Sequence, residues 1–121
     1  MNSDKKRGIG LKFALNGFRL GCTQRNFIIQ LVIAGLVVVA GFLLPLTTAE
    51  WCMVLFCIAG VLSLELLNSA IELIVDQISP NYSAFAKNAK NMAAGAVLIS
   101  AFVSAIIGLI IFVPKFIETF L

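Results

Sequence analysis

Leu64-Glu65-Leu66-Leu67-Asn68-Ser69-Ala70-Ile71-Glu72-Leu73-Ile74-Val75-Asp76 is an apolar helical sequence interrupted by acids and amides. Glu65, Asn68, Ser69, Glu72 and Asp76 fall at i, i+3, i+4, i+7 and i+11, so a helix aligns them on one face. The remaining faces are Leu, Ile, Val and Ala. A carboxylate near a bilayer centre costs about 2.5–3.5 kcal/mol even on insertion-derived scales. Asp76 escapes that cost at an emerging helix end. Glu72 escapes it less well and Glu65 poorly, which makes these acids functional candidates.

The rest of the chain supports a membrane setting. Of 121 residues, 60% are hydrophobic and 12% charged, and the mean hydropathy is +1.03. Soluble domains carry roughly a quarter charged residues. Apolar runs predict spans at 27–46 and 51–78 and a helix at 84–113 that includes the third span, about 92–113, within a single membrane domain covering 1–121. Pro45, Thr47 and Thr48 end the first span, and Trp51 suits a membrane–water boundary. The second span is longer than a bilayer core needs, so one end should emerge into water. Pro114 and Lys115 are expected to close the third. Along that span Ala96, Ser100, Ser104 and Gly108 form a small-residue ridge suited to close helix packing.

Ahead of the spans, 8–24 reads as an amphipathic surface helix. Lys12, Asn16, Arg19 and Thr23 make a polar stripe beside an apolar one of Leu11, Leu15, Phe18 and Cys22. The net charge is +3, concentrated in Lys5, Lys6, Arg7, Lys12, Arg19 and Arg25. Lys87 and Lys90 lie between the second and third spans, and no Lys or Arg lies between the first and second. Positive charge then puts the N-terminus and the second loop in the cytoplasm, with Lys115 weakly opposed. A basic end beside a span meets anionic headgroups, so nucleic acid is not implied.

Several chemistries are excluded. The chain has no histidine, which removes His triads and His metal sites. Cys22, Cys52 and Cys57 form no C-x-x-C and read as small apolar filler. There is no G-x-x-x-x-G-K-[ST] loop, and Gly8-Ile9-Gly10 follows no strand. What remains is the acid stripe. Carboxylates with an amide oxygen suit Mg²⁺, an acid kept off the metal can deprotonate a hydroxyl, and lysines beyond the helix end can meet phosphates. Those are parts of a phosphoryl-transfer site. The same stripe, centred on Glu65 and Glu72, would equally serve a small proton or cation transport protein. A membrane partner that only packs through its third span is the remaining possibility.

The stretch 65–72, then Val75-Asp76, then 89–99 with Lys90-Asn91-Met92-Ala93-Ala94-Gly95, resembles the signature of the bacterial integral-membrane diacylglycerol and undecaprenol kinases. Asn16-Gly17 and Arg25-Asn26-Phe27 add to the resemblance. It implies an all-α membrane protein: three spans and a surface helix per subunit, trimeric, with active sites shared between neighbours in the bacterial cytoplasmic membrane. It implies ATP as co-substrate, Mg²⁺, and a lipid alcohol as acceptor. On this basis Glu65 is the catalytic base and, with Arg19, meets the acceptor. Glu72 is a metal ligand, with Gln24 standing where relatives commonly carry a second acidic one. Asn68, Asp76, Asn81, Tyr82, Ser83, Lys90 and Asn91 form the nucleotide side. Asn91 also departs from the pattern, since many members have aspartate there. A neutral Gln24 oxygen should hold Mg²⁺ more weakly than a carboxylate would.

Overall fold

The computed structural model describes residues 3–121, with side chains from Gly10 onward. Lys5, Lys6 and Arg7 thus lie outside the described side chains. The chain folds into α1 (Ser3–Gly21), α2 (Arg25–Leu43), α3 (Thr48–Ile78) and α4 (Ala84–Phe120). The last three are long and apolar enough to cross a membrane, and the molecule is an all-helical membrane protein. At 1.5 Å per residue they measure about 28, 46 and 55 Å, so α3 and α4 outreach a hydrocarbon core of about 30 Å.

α3 and α4 are the main packed pair, α2 lies against α3, and α1 touches α3. α3 buries Val54, Val61, Glu65 and Asn68, and α4 buries Ala86, Ala93, Val97 and Ile111. Their spacings of three, four, seven and fourteen residues keep each set on one helix face. Large apolar side chains elsewhere, Phe42, Phe56 and Met92 among them, face outward, as hydrocarbon-facing residues do.

Three features fix the antiparallel register. Lys90 pairs with Asp76 at the end nearer α1. Gly60 faces Ser100 midway: a Cβ there would lie 3.7 Å from its Oγ. Lys115 Nζ pairs with Glu50 Oε1 at 3.0 Å at the far end. The small-residue ridge is only partly buried. Ser100 meets Gly60, but Ala96 is exposed because the buried row runs through Ala93 and Val97.

Turn chemistry sets the helix ends. Thr47 opens α3 with a capping box: its backbone N–H donates to Glu50 Oε1 at 2.9 Å, and its Oγ1 accepts from the Glu50 N–H at 3.2 Å. Ser83 opens α4 by accepting from the Ala86 N–H at 3.0 Å. α1 stops at Gly21, and Thr23 lies in the turn beyond, its Oγ1 donating to the Leu20 carbonyl at 2.6 Å. The polar stripe expected on α1 therefore loses its last member. Gly21 packs closely on α3, and a Cβ there would displace the end of the Leu66 side chain. Phe27, 0% exposed, closes this corner edge-on against Phe18 with ring centroids 5.5 Å apart.

The helix that carries the third span does not end at Pro114. α4 continues through it to Phe120. Proline removes one donor, but a membrane helix tolerates that loss. The extra turns let Lys115 reach Glu50 and stack Phe116 on Phe120 at 5.1 Å.

Candidate functional site

The stripe on α3 runs from buried to open. Glu65 is 5% exposed and Asn68 7%, Ser69 and Glu72 are half-buried, and Asp76 is exposed. Glu65 precedes Glu72 by seven residues, about 10 Å along α3. The seam register brings Val97 level with Glu65 and Ala93 level with Asn68. These side chains are short enough to admit polar groups at a helix interface.

Asn68 Nδ2 donates to Glu72 Oε1 at 3.3 Å, one turn along. The amide therefore holds the carboxylate. Asn68 Oδ1 is buried and has no partner. An unpartnered buried oxygen is costly and uncommon in a folded protein. The Asp76 carboxylate accepts from the Lys90 ammonium at the open end of the helix pair.

The fold thus gathers Glu65, Asn68, Glu72, Asp76 and Lys90 along one edge of the α3–α4 pair. Other candidates stand apart. Gln24 is exposed in the α1–α2 turn, its Nε2 donating to Thr23 Oγ1 at 3.4 Å. Arg19, Asn81, Tyr82 and Asn91 are exposed. Ser83 is occupied as the α4 cap, and the Ser79 hydroxyl donates to the Asn81 carbonyl at 3.1 Å, tightening the loop. Among the described residues no three acidic or cysteine side chains converge on one point. The oxygens of Glu72 and Asn68 still suit Mg²⁺, which takes one or two carboxylates and fills its shell with water and phosphate.

Two features escaped the sequence reading. Thr47-x-x-Glu50 is a capping-box spacing and was visible, but its ion pair with Lys115 needed the third dimension. Gln30, the one strongly polar residue between Asn26 and Leu43 on α2, was also visible.

Three membrane-length helices carrying an acid–amide stripe that runs from buried to exposed define a small integral-membrane protein. The sequence profile described as prokaryotic diacylglycerol kinase matches residues 12–112. The undecaprenol kinase of Bacillus subtilis (strain 168) is 48% identical over 93 residues, 77% of this chain and 76% of that protein. The diacylglycerol kinase of Synechocystis sp. is 39% identical over 93 residues, 76% of this chain and 53% of that longer protein. The chain belongs to the prokaryotic diacylglycerol kinase family and is a membrane lipid kinase. The proton- or cation-path alternative finds no support among these relatives.

Proposed function

We infer that the chain transfers the γ-phosphate of ATP to the hydroxyl of a membrane lipid alcohol. The acceptor is undecaprenol or diacylglycerol, the lipids named in the relatives. The observation that carries this is the Asn68–Glu72 hydrogen bond beside buried Glu65. It joins a held carboxylate at the water boundary to an acid set within reach of a lipid hydroxyl.

Glu65 takes the hydroxyl proton. Its burial keeps bulk water from competing for it. Asn68 orients Glu72, and Lys90, drawn to the site by Asp76, meets the phosphates. Tyr82, Asn81 and Asn91 lie exposed around that open end, where the nucleotide approaches. Glu72, with Gln24 and the free Asn68 oxygen, would hold Mg²⁺, which when bound neutralises charge on the phosphate oxygens. Arg19 on α1 meets the acceptor's side of the interface.

One chain supplies few ligands and leaves Gln24 on an exposed turn, which supports a trimer whose neighbours complete each site. The exposed apolar residues of α1, Leu11, Leu15 and Phe18 among them, support its lying on the membrane surface. The basic N-terminal end supports a cytoplasmic N-terminus in the bacterial cytoplasmic membrane. The test is labelled-phosphate transfer by purified full-length chain in mixed micelles, with Mg²⁺ and a panel of lipid alcohols. Labelled phospholipid product is expected. No transfer to any alcohol across a full Mg²⁺ range would overturn the assignment.

A further inference from the structure

Ser69 is half-buried on the stripe face of α3 and makes no side-chain hydrogen bond among the described residues. It follows Glu65 by four residues and precedes Glu72 by three. On a helix that sets it about 6 Å beyond the first along the axis and about 4.5 Å short of the second, about 40° and 60° round from them. A free hydroxyl, which can donate, therefore stands between the two acids.

Donors are scarce at that depth. The carboxylates of Glu65 and Glu72, once ionised, only accept. Asn68 turns its amide nitrogen to Glu72 Oε1 at 3.3 Å, and its free atom is the carbonyl oxygen, another acceptor. Lys90 pairs with Asp76, which lies about 16 Å along α3 from Glu65. The pairings of Gly60 with Ser100 and of Asp76 with Lys90 bracket Ser69 against residues 92–97 of α4, a stretch with no polar side chain. Gly21 packs on Leu66 and Phe27 is fully buried. Arg19 and Arg25 each precede one of these by two residues, which turns them about 200° away round their helices, and both are exposed. Within the chain, the stretch from Glu65 to Glu72 thus has acceptors at both ends and the Ser69 hydroxyl between them.

We propose that Ser69 is a further catalytic residue, its hydroxyl donating to an oxygen of the γ-phosphoryl group during transfer. The proposal rests on the lipid-kinase function above. The alcohol oxygen bonds the γ-phosphorus, and the alcohol proton goes to Glu65. The bond from that phosphorus to the bridging oxygen breaks, its electron pair leaving on ADP. Ser69 keeps its own proton throughout. Charge spreads over the equatorial oxygens of the moving group in the transition state, between two carboxylates that repel it. A donor fixed at that point is worth more in the transition state than in the bound substrate, so its loss falls on kcat.

Ser69→Ala and Ser69→Thr in the full-length chain test this. In Ser69→Ala, kcat should fall about 100-fold, with the KM for ATP and for the lipid alcohol within about twofold and the unfolding midpoint unchanged. Ser69→Thr keeps the hydroxyl and should recover most of the rate. A second measurement needs no turnover. Magnesium ADP with aluminium fluoride, a planar mimic of the moving phosphoryl group, should bind Ser69→Ala about 100-fold more weakly in the presence of a lipid alcohol. Magnesium ADP alone should bind both proteins equally. A serine that only bonded the carbonyl four residues back along its own helix would move neither kcat nor the fluoride complex selectively. Wild-type transfer with kcat in Ser69→Ala within about threefold of it would overturn the role of Ser69 and leave the lipid kinase standing. Equal weakening of both ADP complexes, with a lowered unfolding midpoint, would make Ser69 a structural residue and overturn it as well. Wild-type protein that transfers phosphate to no alcohol would overturn the kinase function and Ser69 with it.

Discussion

Asn68 and Glu72 are joined by a 3.3 Å hydrogen bond that uses the Asn68 amide nitrogen and leaves its carbonyl oxygen buried without a partner. Replacing Asn68 with leucine removes both the hold on Glu72 and the orphaned oxygen. Phosphate transfer should fall about 10–100-fold, the usual effect of losing an outer-shell partner. Stability in a thermal or SDS unfolding titration should hold or rise, since an unsatisfied buried group is gone. Loss of activity together with a collapse in stability would make Asn68 a structural residue.

Lys90 and Asp76 form a half-exposed ion pair. Such pairs contribute at most about 1 kcal/mol. Lys90→Met should leave the unfolding midpoint nearly unchanged and raise the KM for ATP about tenfold, the cost of one lost phosphate contact. A KM change for the lipid alone would remove Lys90 from the nucleotide side.

Glu50 links the α3 cap to α4, accepting from both the Thr47 N–H and the Lys115 ammonium. Glu50→Gln and Lys115→Met should each lower the unfolding midpoint, and the double variant should lose less than the sum of the two. That non-additivity is the signature of direct coupling. Simple additivity would mean that the pair does not clamp the helices.

Gly41 and Gly60 should answer substitution differently. At Gly41 a Cβ meets the rigid indole of Trp51 at 2.6 Å and Leu46 at 3.0 Å, so Gly41→Ala should destabilise by about 1–3 kcal/mol. At Gly60 the nearest atom outside the helix is Ser100 Oγ at 3.7 Å. Gly60→Ala should be neutral or stabilising by up to about 1 kcal/mol, because alanine holds a helix better. Equal effects in side-by-side unfolding titrations would contradict the packing at the far end.

The polar stripe was legible because helix periodicity is strict and acids in an apolar run are costly; Glu65, Asn68 and Glu72 needed no tertiary information to be placed on one face. The membrane class was legible in the same way, from run length. Pro114 misled because its local effect is to break helices, whereas Lys115 and the apolar residues after it carry α4 on. Ala96 misled because four-residue spacing fixes a face but not which neighbour covers it. Ser69 was visible on the stripe, but the lack of donors around it depends on the register of α3 on α4, which no residue pattern encodes.

Glu65→Gln gives the most direct test, read as labelled-phosphate transfer to a long-chain lipid alcohol by full-length protein in mixed micelles. A neutral amide of the same shape cannot take the hydroxyl proton. Transfer should fall by about 100-fold or more, with nucleotide binding and the unfolding midpoint retained. A variant that keeps most of the wild-type rate would contradict the central claim that the buried acid of α3 deprotonates the acceptor.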